Sequence, residues 1–265
     1  TTDLHALAVM IYMYLLYRHP LKGGKVNSLD TEQDDLLSMG EKALFIEHPT
    51  DTSNRPKLDQ VSKWTLPWAD VTKLPYTITG PYLKALFDQA FITGLHDPTH
   101  RPNADTWEQA LLKTTDLMQP CSNKQCDQKW FVFDNTASPR CPFCGTPVKG
   151  TLPVLDLYYQ FKPTVWKPEN HRLMVYNNQY LFQWHVNRHV IRNEKLTAEQ
   201  KVPVGYFTYH QDKWVLVNQK LTSLKDLTED KEIPIGTMMD ITDGKKILLS
   251  NEEGGRVVVV TMANK

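Results

Sequence analysis

The chain has 265 residues, of which 41% are hydrophobic and 10% aromatic, and its formal net charge is zero. This composition is typical of a globular protein with room for about two domains, and it excludes disorder as the default state. The longest apolar run, Leu4–Leu16, is far shorter than the roughly 20 residues that cross a bilayer. No signal peptide precedes it, so we expect a cytoplasmic protein without a membrane partner.

Helical patterns dominate the first predicted domain, residues 1–119. The run that follows Thr2 and Asp3 is apolar on every face, which predicts a helix buried at the centre of the domain. Further helices are predicted to start near Ser28 or Asp30, at Gly80-Pro81, and near Asn103 or Asp105.

A proline-rich connection over residues 46–80 separates the second of these helices from the third. Its four prolines predict irregular backbone rather than helix or strand. Trp64 and Trp68 are expected to anchor this connection on the helical core.

All four cysteines lie in residues 120–150, which we predict to be a zinc ribbon. They are spaced as Cys121-Ser-Asn-Lys-Gln-Cys126 and Cys141-Pro-Phe-Cys144, followed by Gly145. Two such knuckles can place four thiolates around Zn²⁺ at about 2.3 Å, which is the closed geometry of a structural site. The residues between the knuckles favour strands, with a turn at Asp134-Asn135.

Other interpretations of this stretch stay open. Four cysteines in a secreted protein could form two disulfides, in three connectivities. Trp130, Phe131 and Phe133, together with nearby lysines, could stack on bases and bind nucleic acid. We favour structural zinc, because no secretory segment is visible and acidic residues dilute the positive charge. A catalytic zinc is disfavoured, since four thiolates leave no open coordination position.

After residue 150, alternating apolar and aromatic runs replace the helical patterns. Their spacing, without helical crossovers, predicts an antiparallel β-sandwich over residues 151–265. The predicted strands are Val154–Phe161, Arg172–Tyr176, Tyr180–Val186, Val204–Tyr209, Trp214–Val217, Met238–Ile241, Ile247–Leu249 and Val257–Thr261. His185 and His189 have a spacing that occurs in metal sites, but as strand residues without a further ligand they are expected to face solvent.

The first domain resembles the second half of the C-terminal lobe of a eukaryotic-type Ser/Thr protein kinase. The most specific pieces are Asp3-Leu-His-Ala-Leu-Ala8 and Asp97-Pro-Thr-His-Arg101-Pro102. The resemblance implies that Asp3 steadies a catalytic loop and that Arg101 pairs with the Glu of an Ala-Pro-Glu motif. Both partners are absent here, as are the Gly-rich loop, the strand lysine, the His-Arg-Asp loop and Asp-Phe-Gly. We therefore expect no kinase activity from this chain itself, and we expect it to be a fragment.

The last domain resembles a forkhead-associated (FHA) domain. The resemblance covers residues 205–218, Ile235-Gly236, Asp243-Gly244 and the predicted strand at 246–250. The Gly-Arg and Ser-x-x-His pairs that read phosphothreonine in that family are absent, and Asn218 is followed by Gln rather than Gly. The resemblance therefore implies a protein-binding module that uses another surface.

The predicted fold class is multidomain α + β: a helical kinase C-lobe fragment, a zinc ribbon and an FHA-like antiparallel β-sandwich. This order resembles the kinase component of the bacterial tellurite-resistance-associated triad. There, a kinase-like protein works with a von Willebrand A protein (TerY) and a metal-dependent protein phosphatase. The resemblance implies a non-catalytic docking module whose zinc ribbon joins lobe and sandwich, with a von Willebrand A partner. An active kinase's substrate-docking half and a nucleic-acid-binding ribbon stay open as alternatives.

Overall fold

The computed structural model describes residues 2–133, 137–162 and 165–264. The chain divides into two compact units. Unit 1 is Thr1–Thr115 with Pro142–Gly145, and unit 2 is Asp116–Cys141 with Thr146–Lys265. The three-domain division after residues 119 and 150 is a different partition and stays a prediction. The turn predicted at Asp134-Asn135 lies outside the described residues.

Within the described residues, unit 1 contains four α-helices. They are α1 (Thr2–Leu16), α2 (Thr31–Met39), α3 (Pro81–Asp88) and α4 (Ala104–Thr115). The Asp30 carboxylate caps α2 by accepting the Gln33 amide at 2.8 Å, and Asn103 accepts the Thr106 amide at 2.8 Å beside the start of α4. Gly80, at φ 86°, makes the turn that leads into Pro81. These caps stand where the sequence predicts helix starts.

Aromatic rings form the core of unit 1. The Tyr12 ring makes edge contacts with Phe45, Phe87 and Phe91 at centroid distances of 5.8, 5.2 and 5.6 Å. Trp107, on α4, packs on Phe87 at 5.2 Å. Such edge-to-face pairs add to the free energy gained from burying the rings.

Helix α1 is buried on one face rather than on every face. Ala8, Tyr12 and Leu16 are fully buried, at the i, i+4, i+8 spacing of a single helical stripe. On the opposite side Met10 is 63% and Tyr14 85% exposed, with Met13 also exposed. The prediction of a wholly buried helix is therefore wrong. When apolar residues surround a helix, the sequence does not show which face is turned toward the core. In α1 only the stripe of Ala8, Tyr12 and Leu16 lines the core.

The two tryptophans of the connection have different surroundings. The Trp68 ring contacts Tyr17 at 4.9 Å and Phe143 at 5.7 Å in tilted arrangements, so it does pack within unit 1. Trp64 is 95% exposed. The prediction that Trp64 anchors the connection is wrong, because it lies in a short 3₁₀ turn, Lys63–Thr65, that has no buried residue.

Unit 2 contains a two-stranded, a four-stranded and a six-stranded sheet, all antiparallel. The strands are β1 (Met118–Pro120), β2 (Trp130–Val132), β3 (Leu152–Lys162), β4 (Val165–Met174), β5 (Gln179–Leu181), β6 (Gly205–His210), β7 (Lys213–Asn218), β8 (Lys225–Asp226), β9 (Lys231–Glu232), β10 (Met238–Asp240), β11 (Lys246–Leu248) and β12 (Arg256–Ala263). The sheet orders are β1-β2, β10-β7-β6-β5 and β4-β3-β12-β11-β8-β9. Both larger sheets bury apolar residues, Phe207 and Leu216 on one and Leu155 and Val258 on the other. The chain thus contains both helices and antiparallel sheets, which confirms the predicted α + β class with an antiparallel β-sandwich.

One predicted strand is divided. The segment predicted as Tyr180–Val186 contains the short strand β5 and then a one-turn helix, α5 (Gln183–Val186). His185 is on α5 and is only 5% exposed, whereas His189 is exposed. The prediction that both histidines face solvent from a strand is therefore wrong for His185, whose buried ring is held by the contacts described below.

Candidate metal centre

The first knuckle is shaped by backbone hydrogen bonds around Cys121 and Cys126. The Cys121 amide donates to the Lys129 carbonyl at 2.7 Å, and the Cys126 amide donates to the Asn123 carbonyl at 3.0 Å. The Asn123 side chain also accepts the Gln125 amide at 3.0 Å, which closes the turn between the two cysteines. An Asn in such a turn replaces a backbone acceptor, and it fixes the loop before any ligand binds.

The second knuckle is a tight turn between paired segments. The Cys141 amide donates to the Thr146 carbonyl at 2.9 Å, and the Val148 amide donates to the Pro139 carbonyl at 2.9 Å. Gly145 stands between them at φ 72°, in the left-handed region that favours glycine. The sequence prediction that Gly145 makes this turn agrees with its backbone conformation.

The four sulfur atoms lie within 4.8 Å of one another. Cys126 and Cys141 are buried and their sulfurs are 3.8 Å apart, whereas Cys144 is exposed. A tetrahedron with Zn–S distances of about 2.3 Å has edges of about 3.8 Å. A disulfide would need a sulfur–sulfur distance of about 2.05 Å, far shorter than the distance between Cys126 and Cys141. Cys121, Cys126, Cys141 and Cys144 are therefore close enough to hold one metal ion, with a donor set that suits zinc.

The ribbon aromatics bear on the nucleic-acid alternative. Phe131 and Phe133 are buried, and Trp130 alone of the three is exposed, at 40%. Stacking on bases needs an accessible ring face. Two of the three aromatic residues on which that alternative depends are thus used in packing.

The two kinase-like positions lie in unit 1. Asp3 is exposed in the first turn of α1. The Arg101 guanidinium donates to the carbonyls of Gly94 and Leu95, at 2.8 and 3.0 Å. Arg101 therefore holds the backbone that precedes α4 in place, and the roles that the kinase resemblance implies for both residues stay predictions.

Sequence reasoning missed a buried polar cluster in unit 2. The Asp116 carboxylate lies between two imidazoles: His171 Nε2 is 2.6 Å from Oδ2, and His185 Nε2 is 3.3 Å from Oδ1. His185 Nδ1 lies 3.1 Å from the Phe182 amide nitrogen, and His185 Nε2 lies 3.0 Å from the Trp184 indole nitrogen as well as facing Asp116. His171 is 55 positions and His185 is 69 positions from Asp116 in the sequence, so no local pattern could indicate these contacts.

The ionised form of Asp116 is stabilised in this cluster. Burial alone would raise its pKa, but the charge of His185 and the hydrogen bonds from both histidines outweigh burial and hold the pKa well below its usual range. Asp116 therefore stays a carboxylate down to strongly acidic pH.

A second missed cluster lies in unit 1. The Glu47 Oε1 atom is 2.5 Å from Arg18 Nη2 and accepts the Tyr12 hydroxyl, while Oε2 accepts the Tyr76 amide at 2.8 Å. Burial and then the charge of Glu47 raise the pKa of Tyr12 far above its usual value. The Tyr12 hydroxyl therefore keeps its proton and donates a hydrogen bond to Glu47.

The cysteine set is the one group of three or more His, Cys, Asp or Glu residues, within the described part of the chain, that could hold a metal ion. Among the described residues, His185 and His189 therefore do not belong to a second group of this kind. Nor does any helix of residues 2–133, 137–162 and 165–264 have the length and hydropathy to span a membrane.

The chain is similar to a few known structures at low identity. It matches the yeast Pml1 splicing factor, described with its integration into the RES complex, at 12% identity and TM-score 0.28, covering 43% of this chain and 82% of that one. It matches the Mycobacterium tuberculosis Rv1747 FHA-1 domain at 17% identity and TM-score 0.24, covering 42% and 98%. Full-length yeast Pml1p gives 11% identity, TM-score 0.25, and 43% and 83% coverage. At these TM-scores the similarities support no inference about function.

No protein-family model matches the sequence, and no curated protein matches it either.

Proposed function

We propose that this chain is a non-catalytic, C-terminal docking module of a kinase-like signalling protein, with a structural Zn²⁺ in its cysteine ribbon. In this proposal its partner is a protein with a von Willebrand A domain, and a metal-dependent protein phosphatase is a second candidate. The observation that carries docking is the exposed apolar face of α1, formed by Met10, Met13 and Tyr14.

That face has the properties of a binding surface. Its three side chains follow the i, i+3, i+4 spacing of one helical stripe, so a partner can contact them together. Methionines adapt their shape to a partner, and tyrosines supply large contact areas at low entropic cost. Contiguous exposed apolar surface of this kind marks interaction sites more often than chance exposure does.

The docking proposal is tested by measuring binding to a purified von Willebrand A domain protein by calorimetry. We expect Met10→Glu combined with Tyr14→Glu to weaken binding by at least about tenfold, because both side chains would place charge in the buried interface. Leu36→Glu is the matched control, since Leu36 is 70% exposed on α2 in the same unit. Equal affinity for both variants and the unchanged protein would contradict the proposal.

The zinc proposal is tested separately. Elemental analysis should find about one zinc ion per chain, because four thiolates complete the coordination of a single ion. Chelation, or Cys141→Ser, should lower the melting temperature, since metal-binding free energy becomes folding free energy. Ser122→Ala alters a neighbouring side chain that is not a ligand, and it should retain both metal and stability. Absence of bound zinc with unchanged stability would refute this part.

The enzyme alternative is that the chain is the substrate-docking half of an active Ser/Thr kinase. The order of Asp3, the proline-rich connection and Arg101 favours this possibility over an unrelated helical domain. Phosphoryl transfer from ATP to a protein substrate is expected to be absent with this chain alone. If supplying a separate ATP-binding segment restored transfer, the active-kinase alternative would replace the scaffold proposal.

A further inference from the structure

We propose that a cavity in unit 2 binds an extended, proline-containing peptide with an acidic side chain. The cavity, of about 560 Å³, is lined by residues 119–122 and 148–152 and by Tyr176, Asn177, Tyr209 and Trp214. We call it the aromatic cleft. It lies outside the α1 face, so this proposal does not rest on the docking proposal above.

The aromatic walls of the cleft are fixed by hydrogen bonds. Trp214 Nε1 donates to the Thr151 carbonyl at 2.8 Å, and its ring packs edge-on against Tyr209, its cross-strand neighbour, at 5.3 Å. Asn177 Oδ1 accepts the Tyr209 amide at 2.8 Å and the Thr208 hydroxyl at 3.0 Å, which ties the β4-β5 turn to β6. A cavity with walls held in this way loses little entropy when a ligand binds.

A second aromatic pair extends the same wall. The Tyr176 ring makes an edge contact with Trp130 at 5.2 Å, and Trp130 is 40% exposed. Together with Tyr209, which is 49% exposed, these rings give an accessible aromatic surface on a preformed cavity. Aromatic-lined grooves of this type dock polyproline II segments, because proline rings pack on them and the peptide is already ordered.

The charge of the cleft selects among ligands. Lys149, which is exposed, is the one charged residue among the described residues that line the cleft. It disfavours a cationic ligand and favours a peptide with an aspartate, glutamate or terminal carboxylate at that end. A nucleic acid is less suited, because the T-shaped pairs occupy ring faces that bases would need and one lysine neutralises few phosphates.

The cavity has the size and composition of a ligand site. Its volume falls in the roughly 300 to 1,000 Å³ range of pockets that enclose most of a bound ligand. The Asn177 side-chain amide also lines the cleft. Aromatic walls and one cation at the edge together point to a peptide rather than a compact metabolite.

The test uses fluorescence anisotropy with the whole chain and three labelled probes. These are hexaproline flanked by glutamates, hexaproline flanked by lysines, and oligothymidylate. We expect the glutamate-flanked peptide to bind best. We expect Tyr209→Ala to weaken its binding at least about tenfold, as loss of an aromatic anchor does. Lys149→Glu should reverse the preference between the two peptides, and this readout does not depend on the stability of the fold.

Tyr180→Ala is the matched control, because Tyr180 is an exposed tyrosine of the same unit that does not line the cleft. It should leave binding unchanged. The proposal is overturned if neither peptide binds at millimolar concentration, if Tyr209→Ala and Tyr180→Ala bind equally, or if oligothymidylate binds with a steep salt dependence while the peptides do not. Because the docking test alters α1 and this test alters unit 2, failure of one is distinguishable from failure of the other.

Discussion

Glu47 in unit 1 and Asp116 in unit 2 are both buried carboxylates, but different kinds of side chain pair with them. Glu47 is paired with the Arg18 guanidinium, which also donates to the Trp68 carbonyl at 2.6 Å. Asp116 is held by the imidazoles of His171 and His185. A guanidinium stays charged at every accessible pH, whereas an imidazole can give up its proton. We therefore expect removal of the acid to cost more stability in unit 1, and acidic pH to destabilise unit 2 more.

The largest effect is expected for Glu47→Ala. It would leave Arg18 buried without its counter-charge and the Tyr76 amide without its acceptor, so we expect a loss of about 3 to 5 kcal/mol in the free energy of unfolding. Urea denaturation measures the total, and hydrogen exchange in α1 assigns it to unit 1.

Asp35→Ala is the control for that variant. Asp35 pairs with Lys22 at 3.5 Å on the surface, with both side chains more than half exposed, so its loss should have little measurable effect. A Glu47→Ala protein no less stable than the Asp35→Ala protein would show that the buried pair does not support the fold.

Asp116→Asn should have a smaller effect. One amide oxygen replaces two carboxylate oxygens, so one of the two imidazole N–H groups loses its acceptor, at a cost of about 1 to 3 kcal/mol. The cost stays below that of Glu47→Ala because Asp116→Asn keeps one acceptor oxygen in the cluster, whereas Glu47→Ala removes both oxygens. Faster hydrogen exchange in β4 and α5 should accompany the loss. Asp240→Asn, at an exposed ion pair with Lys213, is the control. A larger loss than in Glu47→Ala would reverse the comparison.

Unit 2 should also lose stability in acid through Asp116. The pKa of Asp116 in the folded chain lies below its usual 3.8, so the carboxylate stabilises the fold above that pH. This stability is lost as pH falls through the lower, folded-state pKa. We expect Asp116→Asn to reduce the slope of unfolding free energy against pH below about pH 4. An unchanged slope would refute the inference.

That slope should be reduced rather than abolished. The pKa of Asp226 is also lowered: burial opposes the shift, but hydrogen bonds from Lys245 and from the amides of Thr228 and Glu229 outweigh burial. Asp226→Asn should therefore remove a further part of the same slope, and the double variant should show both reductions, since the two carboxylates do not share a partner.

The sequence predicts what local spacing determines. The cysteine cluster follows from two knuckles, each contained within six residues, and most strands follow from alternation between turns. The sequence does not predict which face of α1 is buried, because apolar residues surround the helix and give no direction. Nor does it predict the contacts among Asp116, His171 and His185, which join residues more than 50 positions apart through the tertiary fold. The shape of the aromatic cleft depends in the same way on bringing separate turns together.

The smallest effect, with the opposite sign, is expected for Asp156→Asn. Burial raises the pKa of Asp156, although the Arg172 charge and a Thr261 hydrogen bond oppose it. The fold therefore favours the protonated acid, and that contribution is present below the ordinary pKa and lost as pH rises through the raised value. An amide resembles the protonated acid, so the variant should match the unchanged protein near pH 3 and slightly exceed its stability at pH 7. Urea midpoints at the two pH values measure this. If the variant were instead less stable than the unchanged protein at pH 7 but not at pH 3, the prediction would be contradicted. Asp156 would then be, like Asp116, a carboxylate that the fold keeps ionised.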